Sequence, residues 1–95
     1  MILEQAILYI KPRQSAAFEK AFEKAQNIIS SMNGYIRHDV LKCIEEENKY
    51  LLLVEWKTLE DHEIGFRKSE EYQEWKKLLH HFYDPFPVVQ HYQGL

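Results

Sequence analysis

His62 is the side chain best placed to move a proton. It falls in the first turns of a helical region, beside a Gly65–Phe66 interruption where a cleft between helix and sheet can open. A neutral imidazole there can take a proton from a phenol or hydroquinone, or orient the resulting anion. The same position also suits a half-exposed polar residue of an ordinary helix. Gln5 is an amide within an apolar run, and a buried amide needs hydrogen-bond partners. It faces either the same cleft or a seam between two copies of the chain, and Glu4 is equally open to both. Phe22, Trp56, Phe66, Tyr72 and Trp75 have the flat apolar surfaces that would wall a pocket for an aromatic ligand. Their spacing is also what a core demands.

Other chemistries find less support. His38 and Asp39 alternate to opposite faces of a strand, and His80 and His81 diverge around a helix, whereas metal ligands on one helix face stand three or four apart. No metal site is expected. Cys43 is the only cysteine, so no internal disulfide can form. Nucleotide-binding and nucleophile-elbow fingerprints are missing, and the expectation is a chain without a cofactor. A net charge of −3 gives no basic footprint for nucleic acid. The longest apolar runs, Tyr50 to Val54 among them, are far short of a membrane span, and the N-terminus lacks a signal-peptide pattern. A cytoplasmic protein with no membrane partner is the expectation.

The elements that must position these residues read as follows. Residues 2–10 form a strand, with Leu3, Gln5, Ile7 and Tyr9 on one face and Ile2, Glu4, Ala6, Leu8 and Ile10 on the other. Gln14 or Ser15 caps a helix running to about Ser31, whose apolar positions from Phe18 to Met32 recur at helical spacing. Asn33 and Gly34 can close it in a left-handed conformation. Tyr35 to Cys43 is a more polar strand, suited to a sheet edge. Tyr50 to Trp56 is a central strand covered on both sides, with Tyr50, Leu52, Val54 and Trp56 on one face and Leu51, Leu53 and Glu55 on the other. Thr58 and Asp61 mark a helix start, Gly65 interrupts it, and Ser69 caps a second segment carrying Tyr72, Trp75, Leu78, Leu79 and Phe82. The Asp84-Pro85-Phe86-Pro87 hinge then leads to a last strand, Val88 to Tyr92.

One domain over residues 1–95 follows, of α+β class and ferredoxin-like β-α-β-β-α-β order with an antiparallel sheet. Helices cover one sheet face. The other, drawn from sets such as Ile2, Ala6, Leu8 and Ile10 or Leu51 and Leu53, would meet water. Exposing about four or five such side chains forfeits on the order of 10 kcal/mol, at ~1.5–3 kcal/mol each. A second copy packed sheet to sheet removes that loss, so a homodimer is expected.

The stretch EWKTLEDHEIGFRKSEEYQEWKKLLHHFYDPFPVVQHY resembles the antibiotic biosynthesis monooxygenase family of dimeric α/β barrel proteins. The resemblance lies in E-W-K, the D-H pair, F-R-K-S-x-x-Y-x-x-W and the closing F-Y-D-P-F-P-x-V-x-H-Y, and with element order it spans nearly the whole chain. The family includes cofactor-independent monooxygenases of polyketide quinones, quinol oxygenases and haem-degrading enzymes. The haem-degrading branch uses an Asn, a Trp and an axial His; the matching positions here are Gln5, Phe66 and Lys76, and all three differ. The resemblance thus implies a cofactor-independent monooxygenase of a small aromatic, quinol or phenol-like, with His62 as base, Gln5 as orienting amide and the aromatic residues as walls. The alternative is a non-catalytic dimeric ligand-binding or stress-related domain, and a haem-binding protein ranks third.

Overall fold

Alternation along the third strand decides which residues become the core. In the computed structural model, which describes residues 1–95, β3 (Lys49–Trp56) buries Tyr50, Leu52, Val54 and Trp56 and leaves Leu51, Leu53 and Glu55 half-buried. Its partner β1 (Ile2–Tyr9) lies antiparallel beside it, with Glu4 opposite Val54 and Ala6 opposite Leu52. β2 (Tyr35–Lys42) pairs on the far side of β3, and β4 (Val89–Gln93) on the far side of β1. The order is β2-β3-β1-β4, so both central strands are apolar and the polar β2 takes an edge, as expected.

Two helices packed side by side cover one face of this sheet. Helix α1 (Ser15–Ile29) contributes Phe18, Phe22, Ala25 and Ile29, and α2 (Glu70–Leu79) contributes Trp75 and Leu79. Ser69 caps α2 as expected, its hydroxyl accepting from the Tyr72 N–H at 3.1 Å. Neither Gln14 nor Ser15 caps α1. The Ser15 hydroxyl instead donates to Asn48 Oδ1 at 2.6 Å and ties the helix start to the β2–β3 turn.

Gly65 does not interrupt the helix after β3. The chain widens into a π-helical turn over Asp61–Phe66 that passes straight through it, and the break comes at residues 67–69. Thr58 holds its start, accepting from the Asp61 N–H at 3.2 Å and donating to Asp61 Oδ2 at 2.9 Å. After α2 a 3₁₀ turn (His80–Phe82) leads to the proline hinge. Backbone bonds from Lys11 to Phe82 (2.8 Å) and from Asp84 to Tyr9 (3.0 Å) fasten that hinge to the end of β1.

The helix-covered side of β1 is Glu4, Ala6, Leu8 and Ile10, and the open side carries Leu3, Gln5, Ile7 and Tyr9. Of the two sets considered for the uncovered face, Leu51 and Leu53 are therefore on it and the Ala6, Leu8, Ile10 set is not. Leu41 and Tyr92 extend the open apolar surface across all four strands.

Of Asn33 and Gly34, only Gly34 is left-handed, at φ +82°. A Cβ on it would stand 2.1 Å from Asp61 Oδ2, and its carbonyl accepts from the Lys57 N–H at 2.8 Å. Gly34→Ala should therefore lower stability by about 2 kcal/mol or more, combining left-handed strain with the clash. Urea unfolding checks this, and an unchanged midpoint would contradict it.

Candidate functional site

A carboxylate stands in the core. Glu4 is placed there by parity, since Ala6, Leu8 and Ile10 on the same face of β1 are all buried, and Glu4 itself is 5% exposed. The register sets His91 of β4 directly across from it. From the diagonal position on β3 the Trp56 indole N–H donates to Glu4 Oε1 at 2.9 Å. Above this group the π turn delivers His62, which is 3% exposed.

The four side chains form one string. His62 Nε2 lies 3.3 Å from Glu4 Oε1, and His62 Nδ1 lies 2.8 Å from His91 Nε2. The His62 ring stacks on Trp56, with centroids 5.4 Å apart and planes within 19°. His91, on the edge strand, is only half-buried and forms the end of the string nearest solvent. π-Helical turns are rare and concentrate at functional sites. Here the turn brings His62 and Phe66 together over Trp56.

The distance between Glu4 and His62 is that of an ion pair, yet burial opposes charge on both. Burial raises the Glu4 carboxyl from 4.5 to about 7, against the smaller pull of the Trp56 hydrogen bond and the Arg67 charge. Burial, with Arg67 and His91, lowers His62 from 6.5 to about 3. His91 is lowered as well, first by burial. Desolvation outweighs the attraction at this depth, so the pair is neutral in mildly acidic solution. Near pH 7 it becomes a carboxylate beside a neutral imidazole, the arrangement from which a proton acceptor is made.

The expected wall residues are gathered, but as packing. Phe66 meets Tyr72 and Trp75 edge-on at 5.2 and 5.6 Å, and Trp75 meets Phe22 at 5.9 Å. Trp56, Phe66, Trp75 and Phe22 are buried and Tyr72 is half-buried. Phe22 also reaches a cavity of about 350 Å³ between α1 and the sheet, shared with Phe18, Val40 and Tyr50.

Gln5 does not join His62. Strand alternation sends it to the opposite sheet face, where it borders a cavity of about 410 Å³ with Ile7, Leu41 and Leu51. Lys76 is exposed on α2, so Gln5, Phe66 and Lys76 are not assembled around one ligand either. No group of three or more His, Cys, Asp or Glu side chains is arranged to hold a metal ion.

Sequence reasoning left Glu4 undecided and passed over His91. The signal was there for Glu4: it shares its parity with the most apolar face of its strand, so burial of that face buries a carboxylate. His91 needed the β1–β4 register, which depends on how the hinge aims the last strand.

Comparison with known proteins agrees with this architecture. The family model described as "Antibiotic biosynthesis monooxygenase" matches residues 1–78. The uncharacterized protein YczJ of Bacillus subtilis strain 168 is 61% identical over 95 residues, covering the whole of both chains. A Bordetella bronchiseptica structure provisionally assigned as an antibiotic biosynthesis monooxygenase superposes with a TM-score of 0.94 at 31% identity, covering 99% of this chain and 96% of that one. SnoaB of Streptomyces nogalater, a cofactor-independent oxygenase, shares the fold with a TM-score of 0.82 at 14% identity, covering 99% and 92% of the two chains.

The two shifted groups act on stability with opposite sign. Between pH 4.5 and about 7 the unfolded Glu4 has lost a proton that the folded one keeps, so its contribution falls as pH rises. Between pH 6.5 and about 3 the unfolded His62 has gained a proton that the folded ring refuses, so its contribution falls as pH falls. From 4.5 to 6.5 folded and unfolded pairs bind one proton each and the two trends cancel. Relative to wild type, Glu4→Gln should gain about 1.4 kcal/mol per pH unit on raising pH through its window, and His62→Gln a similar amount on lowering pH through its own. Urea melts across both windows measure this; pH profiles parallel to wild type for both variants would refute it.

Proposed function

The chain belongs to the antibiotic biosynthesis monooxygenase family, and from that premise we propose that it is a cofactor-independent monooxygenase of a small electron-rich aromatic, quinol or phenol-like. The observation that carries the reading is the buried Glu4–His62–His91 string stacked against Trp56. Removing the hydroxyl proton of such a substrate yields a phenolate, which passes an electron to O₂ far more readily than the phenol does. Substrate radical and superoxide then combine. The protein has to take the proton, keep water away and hold the ring, and the His62 cluster is assigned the first task. Phe66, Tyr72 and Trp75, with Trp56 and Phe22 behind them, supply the apolar surroundings. SnoaB offers a precedent of the same fold for oxygenation without a cofactor.

Gln5 takes no part in this chemistry and belongs to the other face. That face, with Ile7, Tyr9, Leu41 and Tyr92 exposed, is the surface that a second copy of the chain covers in the proposed homodimer. The near-complete burial of His62 and Phe66, at 3% and 2% exposure, favours one other reading, a dimeric domain that binds an aromatic ligand without turning it over.

Oxygen consumption with a panel of hydroquinones and phenols tests the main reading. Uptake should exceed background for at least one compound and fall by on the order of 10²–10⁴-fold in His62→Ala. Thermal stabilisation by panel members with no uptake would instead support the binding domain. Light scattering at micromolar concentration should give twice the chain mass, and a monomer would rule out the proposed packing of the open face.

A further inference from the structure

We propose that His91, rather than His62, meets the substrate hydroxyl, and that the proton it takes is passed through His62 to Glu4. The inference rests on the monooxygenase reading for the substrate, and on the geometry of the string for the relay. Both nitrogens of His62 are already engaged, Nδ1 with His91 at 2.8 Å and Nε2 facing Glu4 at 3.3 Å. With Glu4 ionised, the carboxylate draws the N–H of His62 to Nε2. Nδ1 must then accept, and His91 must carry its proton on Nε2. The nitrogen left over is His91 Nδ1, on the one ring of the string that is only half-buried.

The step balances without any other reactant. The substrate O–H bond breaks and an N–H bond forms at His91 Nδ1, the Nε2 proton of His91 moves to His62 Nδ1, and the Nε2 proton of His62 moves to Glu4. One O–H bond is lost, one is gained, and both rings change tautomer. The negative charge moves from a buried carboxylate to the substrate oxygen nearer the surface. Arg67, at the C-terminal end of the π turn, is the cation whose field reaches Glu4, His62, His91 and Tyr72. The same charge lowers the Glu4 carboxyl and so opposes the last proton transfer, which burial of the carboxylate favours. Glu63, from the same turn, faces His91 with the opposite sign, and Tyr72 and Tyr83 complete the titratable groups around Glu4.

Nitrogen-15 NMR of the histidine rings in the wild-type protein tests the relay without any substrate. Above the Glu4 transition near pH 7 both His62 and His91 should be the Nε2–H tautomer, and below it both should be the Nδ1–H tautomer, in one concerted change. In Glu4→Gln the change should vanish. Rings that keep their tautomers across the transition, or that change separately, would overturn the proposal. His91→Gln keeps an amide N–H for His62 but cannot relay a proton. Where the wild type consumes oxygen, this variant should lose on the order of 10²-fold or more in kcat; undiminished turnover would also overturn the relay. The concerted change without oxygen consumption by any panel compound would leave the relay standing and remove the monooxygenase reading.

Discussion

The structure turns on one carboxylate that burial should exclude. Glu4 lies between a tryptophan N–H and an imidazole in the middle of an otherwise apolar layer, and its neighbours are arranged around keeping it there. Trp56 is fully buried because its indole must reach Glu4 Oε1 from the next strand. His62 is drawn over the same oxygen, and the π-helical turn is the backbone shape that lets it arrive together with Phe66. Removing one partner would leave another polar group unsatisfied in the core, which costs more than the pair contributes.

Much of this was legible in the residues. Alternation in β3 separated its two faces without saying which one the helices cover, Ser69 announced its helix, and the polar β2 found its edge. What escaped reading depended on distance along the chain or on subtle backbone geometry. A glycine within a helix suggests a break, but Gly65 is carried through a wider turn, and nothing local distinguishes the two. Gln5 looked conspicuous because it interrupts an apolar run, while its neighbour Glu4 interrupts the more deeply buried face. The partnership of Glu4 with His91 spans most of the sequence and becomes visible only with the strand register.

The two faces of the sheet differ in kind. The helix-covered face holds the buried Glu4–His62–His91 string together with the aromatic column from Trp56 to Phe22. The opposite face is broad and mixes apolar residues with Gln5 and the Arg37–Glu55 ion pair, none of them in contact with the buried string. Because side chains alternate, a substitution on one face of β1 reaches the other mainly through the backbone. The two faces can therefore vary with considerable independence within one short strand.

The hydrogen atom at Gly34 where other residues carry a side chain acquires a meaning beyond turn geometry. Asp61 fills the space it leaves, and Asp61 is the residue through which Thr58 holds the start of the π turn. One residue further along that turn is His62. Position 34 thus bears on where His62 is held, although it touches none of the histidines. Residues 34 and 61 should drift through the family as a linked pair, with a side chain admitted at the first only where the second has withdrawn.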